Sequence, residues 1–451
     1  MFDEIIENYK DEIINSTSEL IKFPSVSIET NQENNPFGKA CTDALNYILD
    51  LGNSLGFKTK NIDNYAGYIE FGEGEELVGI IGHLDVVPAL EEDGWTTPPF
   101  TPTIRDNKLF GRGSIDDKGP VIASLYAMKA IKDTVNVSKR VRLIIGLNEE
   151  CGWKCIDYYK AHEEWPTIGF SPDANFPGIY AEKGIMSISI SHPLSINNYE
   201  IIDIDCKKNA LNVVPKYASI TLKGSVISHS ELTDDIRITT LEENLFKIEA
   251  FGTAAHAAHP ELGDNAIKKL INFLIKNFNF DSNILTSLYD NDLFNINSPK
   301  FMGENKIEDE SGVLTSNVAT CEYENGKITF KINLRVPVTY SLNDIFARYD
   351  FFKKDHSLFE SSILSTQDPL YIEKDSYLVK TLVDIFNNKT NQTANPIAIG
   401  GGTYARAFDN CISFGPQMPN TKDMCHQTDE FISIENLIFC SKVYAEAILK
   451  L

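Results

Sequence analysis

The chain has 451 residues, 42% of them apolar, enough to bury more than one core, so a single compact domain is not expected. Its 41 Lys and Arg against 64 Asp and Glu give a formal charge of −23, which repels nucleic-acid phosphates and anionic lipid headgroups, and no basic cluster offsets that field. No window approaches the roughly 18 uninterrupted apolar residues of a membrane span and no basic leader precedes the first helix, so a cytoplasmic protein with no membrane or nucleic-acid partner is expected, its eight scattered cysteines held as thiols.

At the start, Ile5, Ile6, Tyr9, Ile13 and Ile14 recur at helical spacing with acidic residues between them, which predicts an amphipathic helix. From Phe37 to about Arg142 helical segments alternate with short apolar runs. Residues 77–82, 141–147 and 168–170 are the clearest strands, and 121–131, behind Pro120, is the clearest helix. After about residue 180 the texture changes to alternating segments such as 185–190, 218–222 and 328–334. From about residue 369 helices resume at 376–386 and 434–449, around short strands at 396–399 and 412–414 that resemble the first region. The pattern predicts an α/β fold in which residues 1–181 and 368–451 build one domain, a mixed sheet flanked by helices, interrupted by an inserted α+β domain at 182–367 with room for two similar halves.

Each predicted strand of the first region ends in a charged cluster, and in open α/β sheets ligands bind at the carboxyl ends of strands, so one site would collect them all. His83 and Asp85 follow the strand at 77–82 and point the same way, which lets one bind a metal while the other holds its ring. The glycine-rich turn FGRGSIDDKGP delivers Asp116 and Asp117 to a helix start, where they would also serve as an ordinary N-cap pair. A phosphate-binding loop is excluded there, because no GK[ST] follows at the required spacing. Glu149 and Glu150 follow the strand at 141–147, one suited to a metal and its neighbour free to move a proton. Asp173 lies just beyond 168–170, and His426 shortly precedes the last helix.

Each cluster alone has a bland reading; five at successive element ends point to one site. Two histidines and at least three carboxylates suit two borderline divalent ions per chain, Zn2+ with Mn2+ or Co2+ as alternatives, better than the all-oxygen shells of magnesium or calcium. Two ions sharing a carboxylate and a water would make hydroxide available at neutral pH and polarise a carbonyl. Cys151 and Cys155 read as packing residues, since no CxxC pair accompanies them, and Cys425, whose thiolate could bind zinc, reads as a buried thiol because adjacent residues seldom point into one site.

In this order the motifs GHLDVVP, GRGSIDDKGP, NEECGW, SPDANFPGIYAEKG, NVVP, GTAAHAAHPELGDNA, NLRVP, GGGTYAR and CHQTDE resemble the M20 family of metallopeptidases, nearest to its PepV-like dipeptidases, over most of the chain. The resemblance implies a catalytic domain interrupted by a lid. It implies His83 and Asp173 on one ion, Glu150 and His426 on the other, and Asp116 bridging them and joined to Asp117 by a cis peptide. Glu149 would be the general base, with Asp85 orienting His83. A lid histidine would donate to the oxyanion, and the spacing of histidine, three residues, proline picks His256 ahead of Pro260, with His259 as the competitor.

By the same resemblance Arg335 would fork the substrate α-carboxylate, Gly400, Gly401, Gly402 and Thr403 would offer it backbone amides, and Asn212 would sit near the oxyanion. A salt bridge, a tight turn and a turn cap are their ordinary alternatives. The insertion is longer than the lid of the family's dimeric members, so a monomer is expected. The implied activity is hydrolysis of short peptides with a free N-terminus, dipeptides above all. Deacylation of N-acyl amino acids uses the same chemistry, and a metal-stabilised peptide binder without turnover is the alternative of a different class.

Overall fold

The structure, a computed structural model, describes residues 2–206, 209–225, 234–280, 285–286, 289, 293–299, 302, 305–355 and 360–451. The chain divides into two units, Met1–Tyr180 with Tyr371–Ile397 and Gly402–Leu451, and Ala181–Leu370 with Ala398–Gly401. Residues 398–401 therefore group with the second unit, whereas the sequence pattern assigns them to the returning segment of the first.

In the first unit, strand Leu77–His83 is buried along its whole length, as a strand with parallel neighbours on both sides must be. Those neighbours are Arg140–Gly146 and Ile168–Ser171. Cys411–Ser413 continues the parallel set beside Ile168–Ser171, and Ala66–Phe71 with Lys58–Ile62 closes the other side antiparallel. The sheet is mixed, and its four parallel strands bring their carboxyl ends to one edge.

Helix Lys118–Lys132 packs on Leu77–His83 and Arg140–Gly146 and is covered in turn by Ile434–Lys450 and Lys10–Ile21. A helix enclosed in this way is apolar nearly all round, and every residue from Lys118 to Met128 is buried. It begins three residues before the predicted 121–131. Pro120 is thus its third residue, where the missing amide hydrogen is one that an α-helix leaves unpaired anyway. The predicted N-terminal helix is broken at Tyr9 into Asp3–Asn8 and Lys10–Ile21, and the Tyr9 hydroxyl donates to Asp133 at 2.9 Å.

Two small sheets carry loops to the same edge. Thr103–Arg105, Lys108–Phe110 and Phe431–Ser433 form an antiparallel set that lays the glycine-rich turn beside the segment after His426. Ala174–Asn175 pairs in parallel with Pro416–Gln417 just beyond Asp173.

The second unit holds an antiparallel sheet in the order Ile236–Glu242, Leu245–Phe251, Tyr217–Lys223, Glu200–Asp205, Thr315–Glu324, Lys327–Val336, Gly184–Pro193, Glu360–Gln367. Its halves of four strands meet through the pair Asp205 and Glu322. Helix Ala266–Asn277, capped by the Asn265 side chain, buries Ile267, Leu270, Ile271 and Leu274 on one stripe against this sheet. Helix Leu342–Asp355 adds Leu342 and Ile345 to the same core. Among the described residues no helix is long and apolar enough to cross a membrane.

Ile144, fully buried in Arg140–Gly146, is a direct test of where the first unit's stability lies. Ile144→Ala is expected to cost about 2–5 kcal/mol, read as a lowered urea midpoint; an unchanged midpoint would mean that this strand does not limit unfolding.

Candidate active site

The predicted ligands of the first unit leave the sheet where its parallel strands end. His83 closes Leu77–His83 with its ring wholly buried, and Nδ1–H donates to the main-chain carbonyl of Asp85 at 2.8 Å, so Nε2 keeps the lone pair. This differs from the expected arrangement, in which the Asp85 side chain holds the ring. Its Oδ1 lies 3.5 Å from Nδ1. The carboxylate instead accepts the amide hydrogens of Glu149 and Glu150, each at 3.0 Å. From the other side Trp153 Nε1 donates to the Glu149 carbonyl at 3.1 Å, so the turn bearing both glutamates is fixed at two points. Gly82 is required next to His83, because a Cβ there would stand 2.4 Å from Asp117 Oδ2, which accepts the His83 amide hydrogen at 3.2 Å. The Asp116–Asp117 peptide is cis.

Asp116 lies between two imidazoles, with Oδ1 at 3.1 Å from His83 Nε2 and Oδ2 at 3.1 Å from His426 Nε2. Asp173 Oδ2 approaches His83 Nε2 at 3.5 Å, and Glu150 Oε1 approaches His426 Nε2 at 3.1 Å. One ligand atom from each of His83, Asp116 and Glu150 lies within 4.8 Å of the others, and the same holds for His83, Glu149 and Asp173. His426 is the most accessible of the set, its side chain 41% exposed on a backbone of φ +63°.

This donor set fits cations. With Nδ1–H committed to Asp85, the buried His83 Nε2 of the neutral ring turns a lone pair toward oxygens that carry only lone pairs. Mixed nitrogen and oxygen ligands of this kind match the shells of borderline divalent ions. Protons compete for the same place. Burial disfavours imidazolium at His83 and His426, yet the facing carboxylates more than offset it and hold both well above the usual imidazole range. Burial also opposes ionisation of Asp116, but the two rings hold it below the ordinary carboxylate range. Burial, with the Asp116 charge, pushes Asp173 up to about 7 and lifts Glu150. Burial lifts Glu149 far above its ordinary range.

The other predicted residues are distributed as follows. In the second unit, the Asn212 carbonyl accepts the Ala257 amide hydrogen at 2.8 Å, which sets Asn212 beside His256; both side chains are exposed. His256 Nδ1 accepts the Ala258 amide hydrogen at 3.2 Å, so its ring proton sits on Nε2. His259 Nδ1 lies 3.2 Å from Glu261 in its own turn. Arg335 is 3% exposed, with Nε on Asn333 Oδ1 at 2.8 Å and Nη1 on the Gly400 carbonyl at 2.9 Å, so two of its donors hold the protein rather than facing solvent. A Cβ on Gly400 would meet Ala258 at 2.9 Å, whereas Gly401 has only Ile399 nearby, at 3.7 Å.

In the first unit, a Cβ on Gly402 would meet the Arg406 guanidinium at 2.8 Å, and the Thr403 hydroxyl caps the short turn Tyr404–Ala407 through the Ala405 amide. Cys155 is buried with Sγ 2.8 Å from Tyr404 Oη, but Cys151 is exposed rather than packed, its place set by Asn148 and Ser27 at the tip of the turn. Cys425 is half-buried, and burial raises its thiol well above the usual range. Sequence reasoning passed over Arg112 and Glu430, a buried ion pair at 2.6 Å that lies among the ligand loops. Both sit inside motifs already singled out, among other charged and polar residues that give no sign of which are buried.

The sequence over residues 79–450 matches the model of peptidase family M20/M25/M40. The chain belongs to that family, and so to a class of hydrolytic enzymes. "Putative dipeptidase YtjP" of Bacillus subtilis (strain 168) is 38% identical, covering 98% of this chain and 97% of its own. A "Putative dipeptidase" of Staphylococcus epidermidis is 34% identical over 100% of this chain and 99% of its own. Among solved structures, human carnosine dipeptidase 1 superposes with a TM-score of 0.61 over 100% of this chain and 98% of that one, at 16% identity, a likeness of fold.

An ion entering this cluster must displace protons held by His83, His426, Asp173 and Glu150, all of them raised. Binding therefore releases protons, and affinity rises with pH. Between about pH 6 and about pH 8, a window set by Asp173 at about 7, the apparent affinity for Zn2+ or Co2+ is expected to increase. Isothermal titration in buffers of different ionisation enthalpy measures both quantities; a pH-independent affinity with no proton release would contradict the assignment.

Proposed function

We propose that this chain is a dinuclear metal-dependent dipeptidase that hydrolyses short peptides with a free N-terminus. The observation that carries the reading is Asp116 set between His83 and His426, with Glu149 alongside. The names of the two bacterial relatives support the dipeptidase part. His83 and Asp173 would hold one divalent ion, Glu150 and His426 the other, and Asp116 both. Such ions, when bound, supply hydroxide at neutral pH and a Lewis acid for the scissile carbonyl.

The chain's own groups do the rest. Glu149 takes the proton of the attacking water and returns it to the leaving amine, the step for which a carboxyl raised by burial is suited. Asp85 and Trp153, by fixing the Glu149 main chain, limit where that carboxyl can reach. From the second unit, His256 is the proposed oxyanion donor, because its tautomer leaves a hydrogen on Nε2. Arg335 is proposed to act on the substrate carboxylate through the Gly400–Gly402 segment it holds, since its Nη1 is already bonded to the Gly400 carbonyl.

Glu149→Gln is expected to retain both ions by metal analysis while kcat falls about 10²–10⁴-fold. Turnover above about a tenth of wild type would remove Glu149 from the role of base. The rival deacylase reading is separated by comparing an unblocked dipeptide with its N-acetylated form. The free dipeptide is expected to give the higher kcat/KM, and the reverse order would favour deacylation.

A further inference from the structure

Asp116 and His426 lie far apart in the chain, yet their side chains meet at 3.1 Å. One buried carboxylate joins the segments that carry them. Glu430 Oε1 accepts the amide hydrogens of Ile115 at 3.0 Å and Asp116 at 3.3 Å. Its Oε2 accepts Arg112 Nη1 at 2.6 Å, and Arg112 Nη2 donates back to the His426 carbonyl at 3.4 Å. The Glu430 main-chain carbonyl accepts the Gly111 amide hydrogen at 3.0 Å, closing the ring of contacts. Both side chains are buried, Glu430 at 0% and Arg112 at 4% exposure. Glu430 sits among ligand loops but is committed to these donors, so it holds the ligands rather than joining them.

We propose that the Arg112–Glu430 pair is a clasp that fixes Asp116 against His426 and thereby sets the affinity of the ion held by Glu150 and His426. This rests on the two-ion reading of the site. Glu430 and Arg112 are positioning residues: neither touches substrate. The effect is unequal: Asp116 serves both ions, but the clasp also holds His426, whereas His83 is held independently, at the end of a fully buried strand and through the Asp85 carbonyl. Asp173 is likewise held independently, followed at once by the strand pair Ala174–Asn175 with Pro416–Gln417. Releasing the clasp loosens His426 and the Asp116 main chain while leaving those two ligands in place. Stability alone does not call for such a pair, since apolar residues of similar volume often serve a buried site as well or better.

The test is a Co2+ titration of metal-depleted wild type, Glu430→Gln and Arg112→Lys, followed by visible absorbance and calorimetry, with folding checked by circular dichroism. Glu430→Gln keeps an oxygen for the two amides but removes the charge facing Arg112. Arg112→Lys keeps the charge but loses the second arm to His426. Wild type is expected to take two ions. In the variants the second ion should bind about 10- to 100-fold more weakly and the first should weaken much less, with kcat restored by excess Co2+ and KM little changed. Wild-type affinity for both ions in either folded variant, or equal weakening of both, would overturn the clasp. If Glu430→Gln does not fold, Arg112→Lys carries the same comparison. Fewer than two ions in wild type would instead sink the two-ion reading, a result distinct from failure of the clasp.

Discussion

The carboxylates of Asp116, Glu149, Glu150 and Asp173 converge on one edge of the first unit's sheet, and like charges in such a place repel strongly. Two of them about 4 Å apart cost about 4 kcal/mol even at an effective dielectric of about 20, and a folded domain has only about 5–15 kcal/mol in hand. The repulsion is relieved by protons on Glu149, Glu150 and Asp173, whose affinity for them is raised, and by positive charge inside the site. His83 and His426 supply some as imidazolium, because the facing carboxylates raise their affinity for protons. Divalent ions supply more, and on the two-ion reading their binding is coupled to the stability of the whole unit.

The fold meets this demand by fixing main chain rather than side chain. Four parallel strands end together, so the residues that follow them are delivered to one place without long flexible connections. Each delivery is then locked through backbone groups: the Asp85 carboxylate on the amides of Glu149 and Glu150, Glu430 on those of Ile115 and Asp116, and Asp117 on that of His83. Asp85 is met by two neutral amides, and Glu430 takes its positive partner from Arg112 rather than from the cluster. They can sit beside the ligands as anchors without claiming the positive charge that the ligands need.

This division explains what was legible in the sequence. Strands Leu77–His83, Arg140–Gly146 and Ile168–Ser171 were visible because parallel, doubly covered strands are continuously apolar and then stop at a charge. The candidate ligands were visible because only a few residue types can perform such a task. The anchors were not. Nothing in residue type says that His83 is turned by the Asp85 carbonyl rather than its carboxylate, since every residue has a carbonyl. The roles of Arg112 and Glu430 depend on a three-stranded pairing of Phe431 with Phe110 that neither segment announces alone. The break at Tyr9 and the grouping of 398–401 with the second unit are tertiary outcomes of the same kind. So are the partners of Arg335, a residue whose length and charge equally suit a ligand or a neighbouring loop.

On the proposed reading, the balance of what raises and what lowers the proton affinity of Glu149 decides when it can work as a base. Burial and the neighbouring carboxylates keep its proton on, while His83 pulls the other way. A carboxyl in that state cannot accept a further proton. Additional positive charge beside it lowers the cost of ionisation, so on the proposed reading the same event that completes the site also frees its base. The dependence is a consequence of placing the base in the crowded edge rather than in solvent. A solvent-exposed glutamate would be ionised with or without ions, but it would be a weaker acid catalyst for the leaving amine. The turn held by Asp85 and Trp153 therefore does more than aim a side chain: it keeps Glu149 close enough to the cluster for its proton affinity to follow the charge there.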